Sequence, residues 1–223
     1  MVHKKRFGII FTIAITATVL VATYFWLPKF AADQVYPLQY SDLIVKYSSK
    51  YNVDPALVAA VIFQESRFNP KSVSGAGAQG IMQFMPGTAS TMAKETGRWP
   101  KYDIFDPETS IEFGAAHLRD LLNKYNGNTD QALASYNAGT GTVDSWISSH
   151  IFDRLVKNST TGAIGYAKRV ERYRDIYASM YPQELGLVVN AQLLIMPKAA
   201  TDAQVRGFVW SQVFSSVFSL GSK

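Results

Sequence analysis

Three features of the sequence predict a mainly α-helical fold, with short helices around one Gly-rich loop. Apolar residues recur at helical spacing through most of residues 37–180. Asp-Pro pairs open two of those stretches, at Asp54-Pro55 and Asp106-Pro107. Strand-like alternation never lasts more than a few residues. The chain has 223 residues, 48% hydrophobic and 17% charged, which is enough for one domain with a real core.

The first element stands apart from that domain. Phe7 to Leu27 is an uncharged, mostly apolar run of 21 residues. At a helical rise of about 1.5 Å per residue it can cross a hydrocarbon core of roughly 30 Å. His3-Lys4-Lys5-Arg6 precedes it, so the positive-inside rule keeps the N-terminus in the cytoplasm and sends the rest across. Tyr24 and Trp26 fall where an interfacial aromatic belt lies. The alternative is a cleaved signal peptide, but Phe30-Ala31-Ala32 is a poor small-x-small site. We therefore expect a basic stub and a transmembrane anchor over residues 1–32, a folded domain over 33–183 outside the cytoplasm, and an apolar tail over 184–223.

Within the domain, Pro37 to Tyr51 reads as a first helix with Leu38, Leu43, Ile44, Val45 and Tyr47 on a broad apolar face. After a turn, Asp54 caps and Pro55 starts a second helix through Leu57, Val58, Val61 and Ile62. It ends near Ser66, because Asn69-Pro70 disfavours helix. Residues 71–83 are rich in Gly and small polar residues and read as a loop or short irregular hairpin. Pro86 opens another helix that runs to Gly97. Asp106-Pro107 opens the next, with Ile111, Ala115, Leu118, Leu122 and Tyr125 on one face and Gly127 closing it. A short helix starts at Thr129 or Asp130 and stops at Gly139. Tyr166, Val170, Tyr173, Ile176 and Met180 mark the last clear helix. In the tail, Trp210, Val213, Phe214, Val217 and Leu220 fall at helical spacing in a stretch too short to span a bilayer. Packing on the domain and a partner-binding or interfacial face both remain open there.

Composition excludes several functions. There is no Cys, which removes a disulfide framework, a thiol nucleophile and a lipid-modified N-terminal cysteine. The net charge is +5, yet residues 36–182 hold 15 Lys and Arg against 14 Asp and Glu. The basic excess sits mainly at the N-terminus, so a nucleic-acid-binding face is not expected. His3, His117 and His150 form no i,i+4 pair and suggest no metal site. Ser-x-x-Lys, Gly-x-Ser-x-Gly and Walker-type signatures are all missing.

One acid draws attention. Glu65 falls at the predicted C-terminal end of a hydrophobic helix, beside Ile62, Phe63 and Phe68. The negative end of the helix dipole and the apolar neighbours both disfavour its ionised form. A carboxyl kept protonated near neutral pH is what a general acid needs. Position alone does not select it, since most helix-end glutamates are solvated surface groups.

The text around Glu65 does select it. Tyr51 to Thr88 contains Glu65-Ser66, Asn69-Pro70, Ser74, Gly80-Ile81-Met82-Gln83 and Met85-Pro86. Ser135-Tyr136-Asn137-Ala138-Gly139 and Tyr166-Ala167-Lys168-Arg169-Val170 follow in order. Together these blocks resemble the soluble lytic transglycosylases across roughly residues 36–182. The resemblance implies a lysozyme-like (goose-type) catalytic domain acting on peptidoglycan glycan strands, with no cofactor. It implies that Glu65 protonates the bond between N-acetylmuramic acid and N-acetylglucosamine, then takes a proton from the muramyl C6 hydroxyl to close a 1,6-anhydro ring. Ordinary glycosidases need two carboxylates about 5–5.5 Å or 6.5–9.5 Å apart; here only Glu65 falls in a matching block.

The other roles implied are these. Ser74 hydrogen-bonds the acetamido group or steadies Glu65, unless it is a turn serine. Gly80 lets the loop backbone approach the sugar. Gln83 donates and accepts along the glycan, and Met85 packs on a sugar face. Tyr136 hydrogen-bonds near Glu65, and Tyr166 lines the cleft floor. Ser66 fixes the helix end, and Asn137 caps its own helix. One departure stands out: Gly162-Ala163-Ile164 occupies the place of a usual Glu-Thr-Arg, so a carboxylate and an arginine are missing. Two other readings stay open, a goose-type hydrolase that releases a reducing sugar and a non-catalytic glycan holder in a secretion or cell-wall complex.

Overall fold

The computed structural model describes residues 15–19 and 33–187. The chain divides into two compact units, Leu38–Leu193 and a second made of Met1–Pro37 with Leu194–Lys223. Of the second unit only 15–19 and 33–37 are described, helical at 15–19 and 33–35. Most of the apolar run 7–27 and nearly all of the tail therefore lie outside the described residues. Among the described residues no helix is long and apolar enough to cross a membrane.

The first unit is mainly helical. Its helices are α1 (Ser41–Tyr51), α2 (Pro55–Ser66), α3 (Pro86–Glu95), α4 (Pro107–Lys124), α5 (Thr129–Ala138), α6 (Thr140–Ser148), α7 (Phe152–Asn158) and α8 (Gly162–Met180). Local chemistry sets several ends. Asp54 accepts from Ala56 N at 2.8 Å with Pro55 at the first helical position. Asp106 does the same for Thr109 N at 2.9 Å. Asn128, one residue before the expected start, caps α5 through Gln131 N. α1 starts at Ser41 rather than Pro37, because Tyr40 adopts φ 58 and breaks the helix there.

α2 forms the centre. Every residue from Ala56 to Phe63 is buried, so it is apolar on all sides, as a core helix must be. It packs most extensively on α8, which also covers α5, while α1 lies on α4. Phe63 meets Tyr173 of α8 edge to face at 4.8 Å. Leu185 is also buried, which ties the first residues after Pro182 to this unit.

The Gly-rich segment folds into two isolated antiparallel bridges, Val73 with Gln79 and Gln79 with Phe84. It is the short irregular hairpin that its composition predicts. α6 and α7 were not expected. They pack Val143, Trp146, Phe152 and Leu155 into a side cluster with Leu121, Tyr125 and Ile164. α8 begins four residues before Tyr166, and its first turn buries Ala163 and Ile164.

Candidate active site

α2 leaves the core at its last turn. Gln64, Glu65 and Ser66 are half-buried there. The helix stops because Arg67 and Phe68 both adopt left-handed backbone, φ 51 and 65. That conformation costs roughly 1 kcal/mol or more per non-Gly residue. The buried Phe68 ring, packed near Tyr177, anchors the turn. Ser66 Oγ donates to Ile62 O at 3.2 Å and to Ile81 O at 2.7 Å. It thereby fastens the end of α2 to the Gly-rich hairpin.

Glu65 meets α8 across this turn. Tyr166, buried in α8, donates its hydroxyl to Glu65 Oε1 at 2.6 Å. Burial pushes the Glu65 carboxyl up to about 7, and the Tyr166 hydroxyl offsets only part of that rise. Among the described residues, burial and this hydroxyl are the causes of the shift. Tyr136 stacks on Tyr166, with ring centroids 6.5 Å apart and planes at 7°. Burial and the Glu65 charge push both phenols well above their usual range, so each stays a neutral donor.

A cleft of about 360 Å³ opens beside this triad, lined by the hairpin, α3 and α5. Gln83, Met85, Tyr136 and Asn137 line it, whereas Glu65, Ser74 and Tyr166 do not. Tyr136 belongs to both features and links the cleft to the acid. Phe84, Thr88, His117 and Thr140 complete part of its wall and carried no sequence signal. His117 packs 5.3 Å from the Tyr136 ring, and burial pushes its pKa down against a weaker pull from Asp120. Among the described residues no cluster of three His, Asp or Glu could hold a metal ion.

The expected site residues have partners within the protein. Tyr136 donates to Met82 O at 2.9 Å and stacks on Tyr166, the direct partner of Glu65. Gly80 is buried at φ +79, and a Cβ there would lie 2.3 Å from Ile104 O. Its missing side chain makes room for the Ile104 carbonyl. Asn137 does not cap α5; Gly139 N–H on Ser135 O closes it, and Asn137 is exposed at the cleft. Ser74 Oγ accepts from Ala78 N at 3.0 Å and shapes the hairpin turn. Gln83 Nε2 donates to Ser72 O and Gly80 O, so its amide donors hold the hairpin. Met85, at the start of α3, is exposed on the cleft lip.

Comparison with known proteins places this architecture. The Transglycosylase SLT domain family matches residues 42–153. The soluble lytic murein transglycosylase of Salmonella typhimurium is 32% identical over 171 residues, covering 72% of this chain and 26% of that protein. Membrane-bound lytic murein transglycosylase C of Serratia proteamaculans is 36% identical over 116 residues, covering 47% of this chain and 32% of that protein. The X-ray structure of an inactive Glu-to-Gln mutant of the lytic transglycosylase Slt from Pseudomonas aeruginosa superposes with a TM-score of 0.60 at 30% identity. That match covers 66% of this chain and 25% of the other. The chain thus spans about a quarter to a third of the length of these relatives. The mainly helical, lysozyme-like unit and the matched residues agree: this chain belongs to the Transglycosylase SLT domain family.

Proposed function

We propose that the chain is a peptidoglycan lytic transglycosylase with Glu65 as its sole acid/base. One observation carries the reading. Glu65 is a half-buried carboxyl held at about 7 by burial, with a neutral phenol as partner and, among the described residues, no second carboxylate among the causes of its shift. A two-carboxylate glycosidase mechanism would need such a second member.

The chemistry then runs through one group. Protonated Glu65 gives its proton to the oxygen of the β-1,4 bond between N-acetylmuramic acid and N-acetylglucosamine. The muramyl C1–O bond breaks, the N-acetylglucosamine end leaves as an alcohol, and the muramyl N-acetyl oxygen assists at C1. Glu65, now a carboxylate, takes the proton of the muramyl C6 hydroxyl. O6 bonds to C1 and closes the 1,6-anhydro ring, so no water is consumed and Glu65 ends protonated. Tyr166 orients the carboxyl, and Tyr136 braces Tyr166. Gln83 Oε1, Met85 and the Asn137 amide offer contacts along the strand in the cleft, while Ser66, Ser74 and Gly80 hold the hairpin that carries them.

We place the domain on the cell-wall side of the cytoplasmic membrane, held by residues 7–27 as a single-pass anchor. The basic stub before that run and the membrane-bound name of one relative support this placement. The apolar residues after 187 would meet a cell-wall or secretion-complex partner.

The test is the product. Peptidoglycan digested with the purified protein is expected to yield muramyl ends carrying the 1,6-anhydro ring, read by mass spectrometry. Ends heavier by one water would replace transglycosylation with goose-type hydrolysis. Binding without cleavage would leave a glycan-holding role.

A further inference from the structure

α8 brings a second polar group to the reaction centre. Arg169 stands one turn beyond Tyr166. Its Nε donates to Gln64 Oε1 at 3.2 Å, and Gln64 immediately precedes Glu65. The guanidinium lies back against Gly165, where an added Cβ would sit 3.3 Å from Arg169 Nη1. Gln64 thus holds the group through this hydrogen bond, and the missing side chain of Gly165 leaves room beside it. Its positive charge reaches the Tyr166 hydroxyl as the weakest of the influences on that group.

Among the described residues this arginine pairs with no acid. Arg119 and Arg174 have carboxylate oxygens at 2.6 and 2.9 Å, and Arg98 pairs with Glu112. Arg169 is exposed and has no carboxylate partner among the described residues. With Nε on Gln64, both Nη groups remain to donate. A fixed guanidinium with a free fork is suited to a carboxylate. Gly162, Ala163 and Ile164 bring no charge to the first turn of α8, and Arg169 is the α8 cation that hydrogen-bonds the residue before Glu65.

We infer that Arg169, positioned by Gln64, forms an anion subsite that receives a substrate carboxylate next to the scissile bond. The choice of substrate rests on the proposed glycan-cleaving function. N-acetylglucosamine carries no carboxylate. Muramyl units do, as a free lactyl group in peptide-free strands or on the stem peptide where one is attached. A cation here therefore distinguishes the two sugars and sets which lies over Glu65.

Equilibrium binding tests this in a Glu65→Gln background, which removes turnover. Three soluble strands serve as probes: peptide-bearing, peptide-free with free lactyl groups, and peptide-free with those groups converted to methylamides. Adding Arg169→Ala is expected to weaken binding about ten-fold for a carboxylate-bearing strand and to leave the methylamide strand unchanged. Arg169→Lys should recover part of the loss, since it keeps the charge and loses the fork. A loss confined to the peptide-bearing strand assigns the stem peptide, and a loss confined to the free lactyl strand assigns the lactyl group. Equal weakening of all three strands, or no weakening of any, overturns the subsite. With Glu65 intact, Arg169→Ala should raise KM and spare kcat; a fall in kcat at constant KM also overturns it. Carboxylate-dependent binding by a wild-type protein that releases no anhydro product would sink the catalytic reading and leave the subsite standing.

Discussion

Two glutamates of this domain are withdrawn from water, and their surroundings shift their pKa values in opposite directions. Glu65 ends α2 with the Tyr166 hydroxyl as partner and is pushed up to about 7. Glu112 lies within α4, 4% exposed, and accepts from Lys50 Nζ at 2.5 Å, from Arg98 Nε and from Tyr51 at 3.2 Å. Burial pushes Glu112 up as well, but Lys50 and Arg98 more than reverse it and hold it below the usual carboxylate range. Burial makes each carboxylate costly, and the partner decides which form survives. A neutral donor leaves an acid ready to give a proton. Two cations leave a fixed anion that ties α1 and the loop after α3 to α4.

The largest effect expected from this contrast is on turnover. Glu65→Gln keeps the size and the hydrogen bond to Tyr166 but has no proton to give. Its kcat should fall about a thousand-fold, in the middle of the range for a lost general acid, with an unchanged far-ultraviolet circular dichroism spectrum. Glu112→Gln should keep activity per folded molecule. If instead Glu112→Gln stopped turnover in folded protein, the division into catalytic and structural carboxylates would collapse.

Stability is the next measure, and here the two variants should move in opposite directions. Glu112→Gln leaves Lys50 and Arg98 without their anion. Lys50 is half exposed and Arg98 about a third exposed, so the cost should fall below that of breaking a fully buried pair, at about 2 kcal/mol. That corresponds to a Tm lower by roughly 4–8 °C for a domain of this size. The folded pKa of Glu112 is depressed, so its contribution is present above the unfolded value near 4.5 and is lost as pH falls through the folded value. The folded pKa of Glu65 is raised, so wild type loses stability as pH climbs from about 4.5 to about 7. The loss is at most about 3 kcal/mol. Glu65→Gln is therefore expected to melt higher than wild type at pH 8 and at the same temperature below pH 4. Thermal melts of the three proteins across pH 3–9 read both slopes. Parallel curves would mean that the partners do not control these carboxylates.

The sequence distinguishes these glutamates only in part, for a physical reason. Each sits on a helix among apolar residues. Lys50, which fixes the charge of Glu112, lies 62 residues away, and Tyr166 lies 101 residues from Glu65. Periodicity cannot reveal such pairs, since they exist only after α1 meets α4 and α2 meets α8. The text around Glu65 compensated through resemblance, while nothing comparable marked Glu112. Local features were readable: Asp54 and Asp106 cap their helices with neighbours two and three residues away. α6 and α7 were not, because their few apolar residues become a face only against α4, α5 and α8. Gly80 shows the same limit. Its need for a glycine was visible, but its reason, the Ile104 carbonyl, comes from a distant part of the chain.

The smallest expected effect sharpens the comparison most. If partner identity sets the protonation state, trimming the partner of Glu65 should move its titration without removing the acid. Tyr166→Phe deletes the hydroxyl that offsets part of the rise, so the Glu65 pKa should move above 7. In the proposed mechanism Glu65 acts protonated, so kcat/KM should fall as pH rises through that value. The alkaline limb of the profile should therefore shift to higher pH in Tyr166→Phe, with a modest loss at the optimum from a less well-oriented carboxyl. Tyr136→Phe should leave the limb nearly in place, because its hydroxyl is spent on Met82 O. A limb that stays put in both variants would leave burial alone in control of Glu65. A downward shift in Tyr166→Phe would reverse the sign assigned to the phenol, and Glu65 would then owe its proton to something other than the absence of a charged partner.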